Sequence, residues 1–129
     1  MDLQVKIVTP SQIAFEGSAD QVQIPGWEGE YGVLAQHANM LTLSKPGVVK
    51  LHRESDVKRI LVGKGFAEIT ATEVSILVDI CEEVENIDKA AAAKELEKSL
   101  AELAKLNASD SRYPFAKNRV ELAQARVDA

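Results

Sequence analysis

The hydrophobic period changes once along this chain, near residue 82, and that change limits the folds open to it. Up to about Cys81, apolar residues recur at every second position in short runs. These are Leu3, Val5 and Ile7; Ile13 and Phe15; Val22 and Ile24; Leu41 and Leu43; Val49 and Leu51; Val74, Ile76 and Val78; Phe66 stands alone before Ile69. A two-residue period puts the apolar set on one face of a strand, so this part reads as all-β. Pro10, Gly17, Pro25-Gly26, Gly29, Gly32, Pro46-Gly47, Gly63 and Gly65 punctuate the runs. All seven glycines and three of the four prolines fall here, which suits an antiparallel sandwich or barrel of many short strands.

After Cys81 glycine disappears and alanine takes over, removing sharp turns and favouring helix. Asp88 is placed to cap a helix running to about Leu106, with Ala93, Leu96, Leu100 and Leu103 as one apolar stripe. The polar run Asn107–Ser111 breaks that pattern. Pro114 is tolerated in the first turn of a second helix, which carries Ala116, Val120, Ala123 and Val127 on one side. The expected class is therefore α+β, an N-terminal antiparallel β-sandwich over residues 1–83 followed by an antiparallel helical hairpin over 84–129. The hairpin offers mostly alanine and leucine, so its docking is expected to be worth only a few kcal/mol. It is able to detach.

Composition excludes several classes of function. At 129 residues the chain is too short for two large enzyme domains. No stretch reaches the roughly 20 uncharged apolar residues of a membrane-spanning helix, and Met1-Asp2-Leu3-Gln4 lacks the pattern of a signal peptide. A soluble, non-exported chain without direct membrane insertion is expected. The formal charge is −5, which argues against a general affinity for nucleic acid. From Ser111 onward four basic residues face two acidic ones, a +2 tail on a −7 body. The single cysteine, Cys81, excludes an internal disulfide and a multi-cysteine metal site.

Little in the chain suits catalysis. His37 and His52 lie 15 residues apart in different expected elements, neither with an acid partner, and Cys81 precedes Glu82 and Glu83, which raise a thiol pKa. No metal, cofactor or catalytic residue is expected. Gly63-Lys64-Gly65 lacks the first glycine and the Ser or Thr of a phosphate loop, so it reads as a turn. A lysine displayed there on a small sandwich is also compatible with a lipoyl- or biotinyl-type carrier domain modified at Lys64. An unassigned β-sandwich interaction module is the blander alternative. Arg119 and Arg126 are seven apart, roughly 10.5 Å along one helix face, and Arg112 continues the spacing. Such a row forms a solvated face or pairs with a carboxylate-rich partner.

Several ordered motifs carry a family resemblance. Gly29-Glu30-Tyr31-Gly32-Val33-Leu34, His37-Ala38-Asn39-Met40-Leu41-Thr42, Lys45-Pro46-Gly47, Gly63-Lys64-Gly65-Phe66 with Glu68, and Val74-Ser75-Ile76-Leu77-Val78-Asp79 resemble, in order, the epsilon subunit of the F-type ATP synthase. The alanine-rich helical pair follows them, so nearly the whole chain is covered. Two departures stand out. Ala35-Gln36 replaces the family's usual Pro-Gly before the histidine. In the Ile/Leu-Asp-x-x-Arg-Ala motif through which some members bind ATP, Ile87, Asp88 and Ala92 match but Ala91 replaces the arginine.

The resemblance implies a non-catalytic rotor part at the foot of the central stalk of a proton-driven ATP synthase, against the gamma subunit and the c-ring. It implies that Glu30, Tyr31 and His37 belong to the loop facing the c-ring. It further implies that the second helix, with Arg112, Arg119 and Arg126, extends toward the catalytic beta subunits and blocks ATP hydrolysis. The expected location is peripheral, on the cytoplasmic face of the bacterial inner membrane, with an organelle-encoded chain as the alternative.

Overall fold

A computed structural model describes residues 2–129. Ten strands come first: β1 (Leu3–Thr9), β2 (Gln12–Ala19), β3 (Gln21–Gly26), β4 (Gly29–Leu34), β5 (Met40–Ser44), β6 (Gly47–Arg53), β7 (Asp56–Val62), β8 (Gly65–Ile69), β9 (Glu73–Val78) and β10 (Cys81–Glu83). A single 3-10 turn over Val84–Asn86 leads into α1 (Lys89–Ala104) and α2 (Tyr113–Asp128).

The hydrogen-bonded order is β10-β7-β6-β3-β5-β8-β9-β1-β2, with β4 on the side of β3. β3 and β5 share one residue pair, Gly26 with Ser44. The sheet turns over at that junction, and its two halves enclose one core. Leu3, Val5, Ile7, Ile69, Val74 and Ile76 from one half meet Val22, Ile24, Val33, Val49, Ile60 and Val62 from the other, all almost fully buried. The core cluster draws only on residues up to Cys81.

The fold is thus a β-sandwich with two C-terminal helices, and one pairing departs from the antiparallel expectation. β1 and β9 run parallel, Val5 beside Val74 and Ile7 beside Ile76. This contact joins the two ends of the β region, too distant in sequence for any local pattern to announce it. At Gly63-Lys64-Gly65 the second glycine is required by close approach, since a Cβ on Gly65 would lie 1.9 Å from the Leu77 carbonyl oxygen; at Gly63 the near atom is Oδ1 of the exposed Asp79 side chain, which can move aside.

Asp88 caps α1 as its sequence position predicts, its Oδ1 accepting from the Ala91 amide at 3.0 Å. The apolar stripe of α1 is rotated by one residue from the expected one. Ala92 and Ser99 are buried, with Leu96, Leu103 and Leu106 half-buried beside them, whereas Ala93 is exposed and Leu100 is 47% exposed. Ser99 satisfies its hydroxyl on the Glu95 carbonyl one turn back, which lets a polar residue occupy a seam position. On α2, Ala123 is buried and Ala116, Val120 and Val127 half-buried; Leu122 is also buried. Lys89 Nζ donates to the carbonyls of Val127, at 3.0 Å, and Ala129, joining the start of α1 to the end of α2.

Candidate functional site

The resemblance placed Glu30, Tyr31 and His37 in the loop facing the c-ring; Glu30 and Tyr31 lie in β4 and His37 beyond it. Period-two alternation sends Val33 into the core and Glu30 outward. Tyr31 follows Val33, and its ring packs against the core and over Gly26, where a Cβ would lie 3.0 Å from Cε1. Burial pushes its phenol above the ordinary value; the Thr42 side chain offsets this in part without reaching hydrogen-bond geometry. Tyr31 thus packs against the core with part of its ring still accessible. Glu30 lies near the start of β4 and His37 three residues past its end, beyond a turn in which the His37 amide donates to the Leu34 carbonyl at 3.3 Å. They do not share one loop.

Glu30 sits one residue past the tight β3–β4 turn, whose tip carries Trp27, 54% exposed. Its carboxylate is held from two strands: Gln23 Nε2 donates to Oε1 at 3.0 Å, and Lys50 Nζ lies 3.5 Å from Oε2. His37 lies in the loop after β4, half-buried, with Nδ1 donating to the Ala38 carbonyl at 2.6 Å. Gln36 takes the backbone position where the resemblance leads one to expect glycine. It adopts a left-handed φ of 69°, and its amide donates to the Ala71 carbonyl at 2.7 Å.

A larger surface feature lies on the other half of the sandwich. Leu43 of β5 is paired with Phe66 of β8, Phe66 with Leu77 of β9, Leu77 with Val8 of β1, and Val8 with Ile13 of β2. Directly paired residues share a face, so five apolar side chains form one row across five strands, roughly 19 Å wide at ~4.8 Å per strand. Leu43 is 65%, Ile13 54% and Phe66 41% exposed, and Leu41 beside them 69%. The next row, Glu68, Ser75, Lys6 and Glu16, is polar and gives the patch a rim. Alternation grouped Ile13 with Phe15 and Leu41 with Leu43 on apolar strand faces, and Ile13, Leu41 and Leu43 face outward. A monomer gains nothing by exposing such a row, so it marks a docking face.

All three tail arginines are engaged within the chain. Arg112 pairs with Asp110 in the interhelical turn, at 2.8 Å. Arg119 reaches Glu102 at 3.1 Å and Glu95 at 3.6 Å on α1. Arg126 reaches across to Glu82 on β10 at 2.6 Å. They do not form one free cationic edge in this conformation. In the degenerate nucleotide motif, Asp88 is occupied as a helix cap, Ile87 closes the 3-10 turn and Ala92 is buried in the hairpin seam.

The remaining candidates carry no reactive arrangement. Cys81 is half-buried, and burial followed by Glu82 and Glu83 pushes its thiol up, away from the thiolate a nucleophile needs. Lys64 stands exposed in a turn fixed by backbone crowding. Among the described residues no three His, Cys, Asp or Glu side chains converge as a metal site.

Comparison with known proteins shows which family the chain resembles. A family model described as ATP synthase, Delta/Epsilon chain, beta-sandwich domain, matches residues 2–84. The ATP synthase epsilon chain of Prochloron didemni is 32% identical over 127 residues, covering 98% of this chain and 93% of that one. The cyanelle ATP synthase epsilon chain of Cyanophora paradoxa is 33% identical over 129 residues, covering 100% and 97%. Among solved structures, a chain of the Euglena gracilis mitochondrial ATP synthase OSCP/F1/c-ring assembly has a TM-score of 0.81 at 21% identity, covering 96% of this chain and 78% of that one. A chain of the Tetrahymena thermophila mitochondrial ATP synthase central stalk/c-ring has a TM-score of 0.67 at 17% identity, covering 98% and 97%. At these identities the two structures speak for the fold. The matches favour an ATP synthase subunit over a carrier domain modified at Lys64.

Proposed function

The chain belongs to the ATP synthase delta/epsilon family, and from that premise we propose that it is the epsilon-type rotor subunit of the central stalk, coupling c-ring rotation to ATP synthesis. It is a subunit of the complex and not a catalyst on its own. The observation that carries the reading is the apolar row Leu43, Phe66, Leu77, Val8 and Ile13. The row needs a protein partner to cover it, and the gamma subunit is the partner that the family supplies. A sandwich with a large buried core suits this task, because torque passes through a part that does not deform.

The end of β4 bearing Trp27 and Glu30 is the proposed contact with the c-ring. His37 lies in the loop past the far end of the strand, away from the β3–β4 turn. Among the described residues no helix is long and apolar enough to cross a membrane; attachment to the membrane through the c-ring is part of the proposal. A peripheral position on the cytoplasmic face of the bacterial inner membrane is part of the proposal. The hairpin is the proposed regulator of ATP hydrolysis: to reach the catalytic beta subunits, Arg119 and Arg126 exchange their internal carboxylates for those of the partner.

The experiment is to place a charge in the row. Leu43→Glu and Phe66→Glu each put a carboxylate on an already exposed position, so the isolated chain still folds. Complexes assembled with either variant are expected to lose this subunit on purification and to hydrolyse ATP without pumping protons. Complexes that retain the variants and pump normally would remove the row from the stalk interface.

A further inference from the structure

The carboxylate of Glu30 is held by a chain of side chains reaching back across three strands. On the outer face of β6, β3 and β4 the alternation leaves Lys50 and His52, Gln21 and Gln23, and Glu30 and Gly32 side by side. Gly32 lies directly opposite Gln23 and offers no side chain. The Gln23 amide therefore turns along the face to Glu30, its Nε2 donating to Oε1 at 3.0 Å. Its other end meets His52 Nε2 at 2.5 Å.

The direction of this chain follows from which groups can donate. A carboxylate only accepts, so Gln23 presents Nε2 to Glu30 and Oε1 to His52. An amide oxygen also only accepts, so His52 Nε2 carries the proton and donates. His52 thereby fixes which way the Gln23 amide points, Gln23 fixes Oε1 of Glu30, and Lys50 draws Oε2. An exposed glutamate on a strand otherwise samples several rotamers and loses that freedom when one is frozen on binding.

We infer that Gln23 and His52 are positioning residues that preset the Glu30 carboxylate for its partner, so that the contact forms without first ordering that side chain. The inference rests on the proposed placement of Glu30 against the c-ring. Neither residue touches the partner in this scheme; each acts through Glu30 alone.

The test measures protons pumped per ATP hydrolysed by reconstituted complexes. Glu30→Gln is expected to lower that ratio; if it does not, the c-ring placement fails and the inference with it. Given that effect, Gln23→Met and His52→Val each lower the ratio about two- to fivefold, the scale of one partly exposed hydrogen bond to a charged group. His52→Gln, which keeps a donor, restores it, and Gln23→Met causes no further loss when added to Glu30→Gln. Thermal unfolding of the isolated variants separates positioning from folding, since equal melting temperatures are expected for all of them. Unchanged pumping in Gln23→Met and His52→Val, or an equal loss from Gln23→Met in the Glu30→Gln background, would overturn the inference.

Discussion

Arg126 on the second helix and Glu82 on the last strand form a two-pronged pair, Nε donating to Oε2 at 3.2 Å and Nη2 to Oε1 at 2.6 Å. It is an ion pair that fastens the hairpin to the sandwich directly. Both side chains are partly exposed, so the pair contributes about 1 kcal/mol and not the larger value of a buried one. Against a docking energy of only a few kcal/mol that is still a sizeable share. Arg126→Gln is expected to raise the rate of proteolytic cleavage in the hairpin about fivefold, and Glu82→Gln to do the same. The double variant should be no worse than either single one. Additive effects would mean that the two residues act independently.

Residues 2–84 should fold without the helices. The core cluster draws on strand residues alone, and each buried Leu, Ile or Val contributes about 1.5–3 kcal/mol. A fragment ending at Val84 is expected to show β-type circular dichroism and one cooperative unfolding transition. Absence of a transition would make the helices part of the sandwich's own folding unit.

How far the sequence can be read is set by what a period does and does not encode. Alternation correctly marked Leu3, Val5 and Ile7 as a core strand, because that strand has one buried face and one polar face. The same alternation in Leu41 and Leu43 said only that the two share a face; burial was decided by the sheet around them, and they point outward. Tyr31 shows the same limit from the other side, since the motif that names it does not say that the pleat packs its ring against the core. In α1 the run Ala90–Ala93 is alanine at every position, so the apolar phase was set by leucines alone and came out one residue off, with Ser99 in the seam. The parallel β1–β9 pairing and the network from His52 to Glu30 join residues far apart in sequence, and no local pattern carries such information.

Gln36 holds a left-handed backbone that glycine adopts at little cost and a residue with a Cβ adopts at about 1 kcal/mol. Its amide bond to Ala71 keeps it there. Gln36→Gly is therefore expected to stabilise the chain by roughly 0.5–1 kcal/mol, seen as a higher denaturant midpoint with an unchanged slope. A lower midpoint would show that the Gln36 side chain contributes more than its backbone costs.

Acid should loosen the interhelical turn only at very low pH. The Arg112 side chain and backbone amide hydrogen-bond to Asp110 and hold its carboxyl at about 2, below the ordinary 3.8. A carboxyl whose folded pKa is depressed stabilises the turn above its unfolded pKa and loses that contribution as pH falls through the folded one. The clamp is thus complete above about pH 4 and lost as pH approaches 2. Titration of the Asp110 carboxyl carbon by NMR reads this directly, and a midpoint near 3.8 would show that the clamp does not form in solution.

The proposed charge-mediated brake on ATP hydrolysis must compete with the pairs that the arginines already make. Arg119 is shared between Glu95 and Glu102, and Arg126 is held by Glu82, so each must leave an internal carboxylate before it can engage a partner. An exchange of one exposed pair for another is worth little, and the net gain comes only from a partner with several carboxylates close together. Two consequences separate. Glu82→Gln frees Arg126 and loosens the hairpin, so hydrolysis should slow; changing Arg112, Arg119 and Arg126 together to glutamine removes the charge, so hydrolysis should rise to the rate of a complex whose chain ends at Ser109. ATP hydrolysis by the three complexes, measured at low and at high salt, reads both effects, because an ionic brake weakens as salt screens it. If all three hydrolyse ATP like the parent complex at either salt, the tail has a structural role and the arginines serve only to fold the hairpin down.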